Sequence, residues 1–238
     1  MKKTAALFLA LVIMLLSGCA LSVPEGFSQV KKAKELYEKL DSGRLTMTDL
    51  SDGSTLMEFS FLINSKDEMV FSYISCDESG CEGAFSDGAQ FFYKNREDEQ
   101  WHIISTDDES YLYNLYSRTY RYQYARGSIF FLDGTSVETA QITENADGSL
   151  TVRYDYDPER LNKNAAGMLD GVSSFTSLSA VYEIAPDGCM SSFTETGIVV
   201  DDSGESSNIN IKLTVSSPND VYDIPSPVDS LAQPDDSV

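Results

Sequence analysis

Histidine is nearly missing from this sequence: His102 is the only one among 238 residues. That removes the commonest general base and the usual nitrogen ligand for a metal. His102 falls in Trp101-His102-Ile103, a stretch with strand character, where a lone histidine is a structural or solvent-facing residue. The GxSxG elbow, the GxGxxG fingerprint and the phosphate loop are absent. Basic residues are scarce: 17 Lys and Arg stand against 38 Asp and Glu, a formal charge of −21. So acidic a chain has no phosphate-neutralising surface, which excludes nucleic acid as a partner, and anionic headgroups repel it. Long apolar runs are also absent. The longest, Ala5 to Leu16, has 12 residues, and a helix needs roughly 20 to cross a bilayer core.

That run is informative in another way. Lys2 and Lys3 precede it, and the small residues Ser17 and Gly18 follow, the pattern of a secretory signal peptide. No polar face interrupts it, as one would in a core helix. Leu16-Ser17-Gly18-Cys19 resembles the lipobox of bacterial lipoproteins. The resemblance implies cleavage after residue 18, a diacylglyceryl group on the Cys19 Sγ and a further acyl chain such as palmitate on its new amino terminus. Two or three chains hold a protein on a membrane stably. The expected location is the extracytoplasmic face of a bacterial envelope, anchored through those chains. Losing the leader with its two lysines takes the charge from −21 to −23 over 220 residues. Residues 19–26 then form a short lipidated tether, reaching about 25 Å at most from Ala20 to Gly26.

Three cysteines remain. Cys76 and Cys81 flank a short turn ending in Gly80, so a hairpin sets them opposite each other, near disulfide distance. A Cys76–Cys81 bridge is expected, with Cys189 left as a free thiol; pairing of Cys189 with either of the others stays open. The spacing is not that of a metal site, and no metal is expected. A calcium-loop pattern at Thr143, Asn145, Asp147 and Gly148 fails because Tyr154 stands where a glutamate is required. The acidic pairs Asp107-Asp108 and Asp201-Asp202 fall in loops, where carboxylates are ordinarily solvated. The chain reads as a non-enzyme without cofactor.

The body reads as one domain, residues 27–224. Phe27, Val30, Ala33, Leu36, Tyr37 and Leu40 recur at helical spacing, and Gly43 is the expected C-cap. Beyond it the period falls to two, as in Met57, Phe59, Phe61 and Ile63, then Met69, Phe71, Tyr73 and Ser75. Asp-Gly occurs six times, mostly between such runs, the signature of hairpin turns. Two helical interruptions are predicted, over Ser110 to Tyr116 and from Asp157-Pro158 to about Leu169. Strands resume at roughly Phe175–Ile184, Met190–Val199 and Asn208–Val215. Prolines from Pro218 onward mark an extended tail, and residues 225–238 are expected to be acidic and disordered.

The order of these elements carries a resemblance. Phe85 to Tyr93 and Gln100 to Ile104 read as a strand, a turn, an aromatic strand and a Trp strand. Leu150–Tyr156 runs into the Asp157-Pro158-Glu159 helix, and Ala180–Ile184 leads to a hairpin at Asp187-Gly188. The whole resembles the LolA/LolB-like superfamily, including the LppX/LprG-like lipoproteins. The resemblance implies a mainly β (α+β) fold, a curved antiparallel half-barrel meander, with an N-terminal amphipathic helix and one or two further short helices covering it. It also implies a hydrophobic or lipid ligand in the concave face. Met57, Phe59, Phe61, Phe71, Tyr73 and Tyr122 are the cavity candidates. Six of the 13 tyrosines lie between Tyr111 and Tyr124. Tyr120, Tyr122 and Tyr124 share one face if this segment is a strand. Arg118, Arg121 and Arg126 beside them are candidates for an anionic headgroup, or for pairing with nearby Asp and Glu. The competing reading is a non-enzymatic interaction module for a glycan, a peptide or an envelope protein, using those tyrosines as an exposed platform.

Overall fold

The computed structural model describes residues 23–77, 79–97, 100–104, 118–165 and 172–227. Cys19 and the leader, the helix expected over Ser110 to Tyr116, and the end of the tail lie outside them. Eleven strands form one antiparallel sheet: β1 Ser42–Asp49, β2 Thr55–Ile63, β3 Met69–Asp77, β4 Gly80–Ser86, β5 Phe91–Lys94, β6 Trp101–Ile104, β7 Val137–Glu144, β8 Leu150–Tyr156, β9 Val172–Ile184, β10 Met190–Asp201 and β11 Ser206–Ser216. Their order is β6-β5-β4-β3-β2-β1-β11-β10-β9-β8-β7. Consecutive strands are sheet neighbours from β1 to β6 and from β7 to β11, and β11 returns to pair with β1. β6 and β7 are the two ends of the order, so the sheet is open and not a closed barrel. Gly53, Gly88, Gly148 and Gly188 of the Asp-Gly pairs take positive φ, the conformation their turns need.

Alternation sorts the two faces. In β2, Met57, Phe59, Phe61 and Ile63 are buried, while Glu58, Ser60 and Leu62 point away. Inward residues of β2, β3, β8, β9, β10 and β11 meet in one core. Tyr37 packs edge-on against both Phe61 and Phe130, and Phe130 against Phe193. Those contacts join β2 to β10 across two intervening strands, so the sheet curves around its filling. α1 (Phe27–Tyr37) supplies Val30, Ala33 and Tyr37 to this core. α2 (Pro158–Ala165) starts as the sequence predicts: the Asp157 carboxylate accepts the Glu159 and Arg160 amides at 2.9 and 3.0 Å. Its expected end lies outside the described residues.

A second, smaller cluster joins Phe85 to Val221 and Ile224, with Leu62, Val70, Phe92 and Trp101 around it. Leu62 and Val70 belong to the outward face, so the chain after β11 packs on the convex side of the sheet. Val221 donates its amide to the buried Ser42 hydroxyl at 3.1 Å. The extended tail is thus anchored at least through Ile224.

Two expectations need correction. Gly43 does not cap α1. The helix ends at Tyr37, and Gly43 lies in β1, where an added Cβ would come 3.1 Å from the Phe61 ring. The segment containing Tyr122 is not a strand. Thr119 and Tyr120 are helical and Arg121–Ala125 is a π-helical turn, closed by the Arg126 amide on the Arg121 carbonyl. Packing explains the choice. A helical turn puts Tyr120 and Tyr124, four apart, on one side, where both stack on Tyr73 at 5.0 and 5.5 Å. Tyr122 then faces away and is 70 % exposed.

Candidate ligand-binding face

Strand pairing fixes a set of inward positions toward one end of the concave face. Phe193 of β10 is buried in the core, so Glu195, Gly197 and Val199 share its face. Opposite Glu195 lie Ile211 of β11 and Ala180 of β9. Opposite Gly197 lie Ile209 and Leu178, and opposite Val199 lies Phe175. Met47 of β1 pairs with the buried Leu213. Packing loosens along this series. Phe193 and Leu213 are each 1 % exposed, whereas Met47, Glu195, Val199, Ile209 and Ile211 keep accessible surface.

Glu195 is the one acid in this set on β10. Burial pushes its carboxyl pKa up to about 7. Its side chain nevertheless keeps some accessible surface. Among the described residues, no hydrogen bond or ion pair reaches it. Two tyrosines are near enough to feel its charge. Burial, with a smaller part from Glu195, raises the pKa of the Tyr156 and Tyr182 hydroxyls far above neutrality. Their protons are committed elsewhere: Tyr182 donates to the Phe131 carbonyl, and Tyr156 and Tyr182 share a contact of 3.3 Å. Ala180 and Gly197 beside Glu195 present almost no side chain. Gly197 is obligatory, because a Cβ there would lie 2.3 Å from the Ser177 carbonyl oxygen.

The cavity candidates from the sequence fall into two places. Met57, Phe59, Phe61, Phe71 and Tyr73 are 0–9 % exposed and pack on one another and on Tyr124. They form the floor of the core, and Met57 pairs with Met47 at the looser end. Tyr122 instead lines an open depression of about 500 Å³ with Glu35, Glu38, Lys39 and Arg126. The three arginines are separate. Arg121 pairs with Asp67 and donates to its carbonyl at 2.8 Å. Arg126 donates to the Glu38 and Leu40 carbonyls at the end of α1. Arg118 is exposed. Cys76 and Cys81 stand directly opposite each other and are bonded, and Cys189 is free. A second open depression, about 700 Å³, lies on the convex side between Phe85, Phe92, Ile103 and residues 223–226. Among the described residues, no group of acids, histidines and cysteines is placed to hold a metal, and no helix is long and apolar enough to cross a membrane.

The sequence reading missed Glu195. Its signal was available: Phe193, Glu195, Gly197 and Val199 alternate in a strand whose other inward residues are apolar, and a carboxylate in such a register breaks the pattern.

No family model matches the chain, and no curated protein matches it. Among solved structures it is similar to LprF from Mycobacterium bovis, at 13 % identity over 87 % of this chain and 99 % of that one, with a TM-score of 0.45. It is similar also to the lipoprotein LppX of Mycobacterium tuberculosis, at 13 % identity, 83 % and 97 % coverage and a TM-score of 0.42. MucB in complex with MucA is a third, at 10 % identity, 89 % and 60 % coverage and a TM-score of 0.34. These likenesses concern the fold alone, and the features that bear on function are those of the concave face itself.

Proposed function

We propose that this protein is a membrane-anchored extracytoplasmic lipoprotein that takes a hydrophobic ligand into the concave face of its open sheet. The supporting observation is the loosening of that face from Phe193 toward Val199. Apolar inward residues Met47, Val199 and Ile209 border the core yet keep surface in contact with solvent. Covering them with an alkyl chain is favourable by about 0.8 kcal/mol per methylene. The rings of Phe59, Phe61 and Phe71 are fully buried and are not the contact surface. Cys19 is the anchoring residue, and its short tether keeps the folded part near the bilayer.

An interaction platform of exposed tyrosines finds less support. Tyr120 and Tyr124 stack with Phe71, Phe59 and Tyr73, leaving only Tyr122 outward among the described members of that run.

Two measurements test the reading. Metabolic labelling with a radioactive fatty acid tests the anchor: the wild type should carry label and Cys19→Ala should not. Equal labelling of both sinks the anchor. For the ligand, a naphthalene fluorophore that brightens in apolar surroundings should bind the wild type. Ile209→Asp should lose at least tenfold in affinity, and Tyr122→Ala should lose none. The reverse ranking would move the site to the outer depression.

A further inference from the structure

Glu195 has no work to do within the described fold. It makes no ion pair, it caps no helix and it accepts no hydrogen bond among the described residues. A carboxylate without partners in such a place is costly. An isosteric apolar side chain would sit more comfortably between Ile211 and Ala180, the residues paired with it on either side. The groups that face it reinforce the point. Tyr182 donates its hydroxyl to the Phe131 carbonyl, which leaves Tyr156 to donate to the Tyr182 oxygen. Asp49, opposite Ile211 in the same row, is a second acid, and its carboxylate already accepts the Ser51 amide at 2.7 Å. Tyr154, opposite Ala180 in the same row, donates its hydroxyl to the Glu25 carbonyl at 3.1 Å, so once Glu195 is ionised the row offers acceptors and no free donor. Around it the surface is apolar: Met47, Ile209, Val199 and Phe175.

We infer that Glu195 is the head-group anchor of this site, selecting an alkyl-chain amphiphile whose head donates a hydrogen bond, a hydroxyl or an amine, and rejecting one whose head is a carboxylate. The inference rests on the proposed hydrophobic site and names its ligand class. The geometry supplies both halves. The apolar residues Met47, Val199 and Ile209 keep surface that can cover the chain, and the Glu195 side chain in the same face keeps accessible surface to meet a head. A hydroxyl or ammonium supplies the missing donor. A carboxylate head meets a like charge at short range with no cation between them, and repulsion in a poorly solvated place is strong.

The test uses the whole lipidated protein in phospholipid nanodiscs at pH 8.5. Three photoreactive probes share one sixteen-carbon chain bearing a diazirine and differ only in the head: alcohol, amine and carboxylic acid. Cross-linked peptides are quantified by mass spectrometry. In the wild type, the alcohol and the amine should label peptides of β1, β10 and β11 at least tenfold more than the acid. Glu195→Gln, of nearly the same shape, should bring alcohol and acid within threefold and lower the amine most. A folded Glu195→Gln is verified by unchanged circular dichroism. If it does not fold, Glu195→Met, which also removes the acid, serves instead and should likewise bring alcohol and acid within threefold. Amine labelling well above alcohol assigns a cationic head, and equal labelling assigns a neutral one. Labelling of the same peptides with no head preference overturns the anchor but leaves the hydrophobic site standing. Absence of label from all three probes at these strands overturns both.

Discussion

Replacing Glu195 with glutamine should change how stability depends on pH, in a direction that burial dictates. The folded protein raises this carboxyl from an ordinary 4.5 to about 7. Between those values the folded chain holds a proton that the unfolded chain has released. Stability therefore falls as pH rises through that window, and the contribution levels off above 7. A shift of this size corresponds to about 3 kcal/mol as a ceiling, since one unit is worth about 1.4 kcal/mol. Other acids slope the opposite way: burial pushes Asp133 upward, but hydrogen bonds from Ser136, Thr135 and Asn164 outweigh it and hold its carboxyl down to about 2. The useful quantity is thus the difference between wild type and Glu195→Gln, which cancels the shared background. Urea denaturation at half-unit intervals from pH 4 to 8.5 measures it. At pH 4 the two proteins should agree within about 1 kcal/mol, both having an uncharged group at 195. By pH 8 the glutamine variant should be more stable by about 2–3 kcal/mol. A difference that stays flat across the range would show that Glu195 is solvated or paired, and the reasoning about this site would fail.

Three further outcomes are expected from the packing. Tyr37→Phe removes the 2.7 Å bond to the Tyr124 carbonyl, which keeps the Gly127 amide at 3.2 Å, and should cost about 1 kcal/mol; Tyr37→Ala, which also empties the contact with Phe61 and Phe130, should cost about 3–5 kcal/mol, both by urea denaturation. Gly83→Ala puts a methyl 2.8 Å from the Trp101 ring and 2.9 Å from Ile74, so it should destabilise by about 1–3 kcal/mol and shift the emission of the single tryptophan. Replacing Cys76 and Cys81 together by serine opens a loop with a sequence separation of only 5 and should cost about 2 kcal/mol in denaturant titration, with no change in the β-sheet signature of circular dichroism.

The strands were legible because one face is buried and the side-chain period is two. The Met57–Ile63 alternation corresponds to β2, and Asp-Gly marks the turns at Gly53, Gly88, Gly148 and Gly188. Asp157-Pro158 announces α2 by its local capping chemistry. The Cys76–Cys81 pair follows from hairpin register alone. What sequence could not supply was decided by distant partners. Tyr120, Tyr122 and Tyr124 alternate as a strand would, yet Tyr73 and Phe71 draw two of them into the core on a helical turn. Gly43 has the composition of a cap, but the approach of Phe61 makes it a strand residue. Arg121 and Arg126 looked available for a ligand, and their partners, Asp67 and the carbonyls ending α1, lie more than 50 residues away in sequence. Val221 and Ile224 read as tail because the face they cover belongs to β2 through β5.

We propose that the concave face holds a hydrophobic molecule. Native mass spectrometry of the lipidated protein, released from detergent in the gas phase, tests it most directly. A second, noncovalent mass of a few hundred daltons or more should appear, vanish on denaturation and be lost in Ile209→Asp. A protein whose mass is accounted for by the chain and its Cys19 modification alone, before and after incubation with long-chain alcohols, would contradict it.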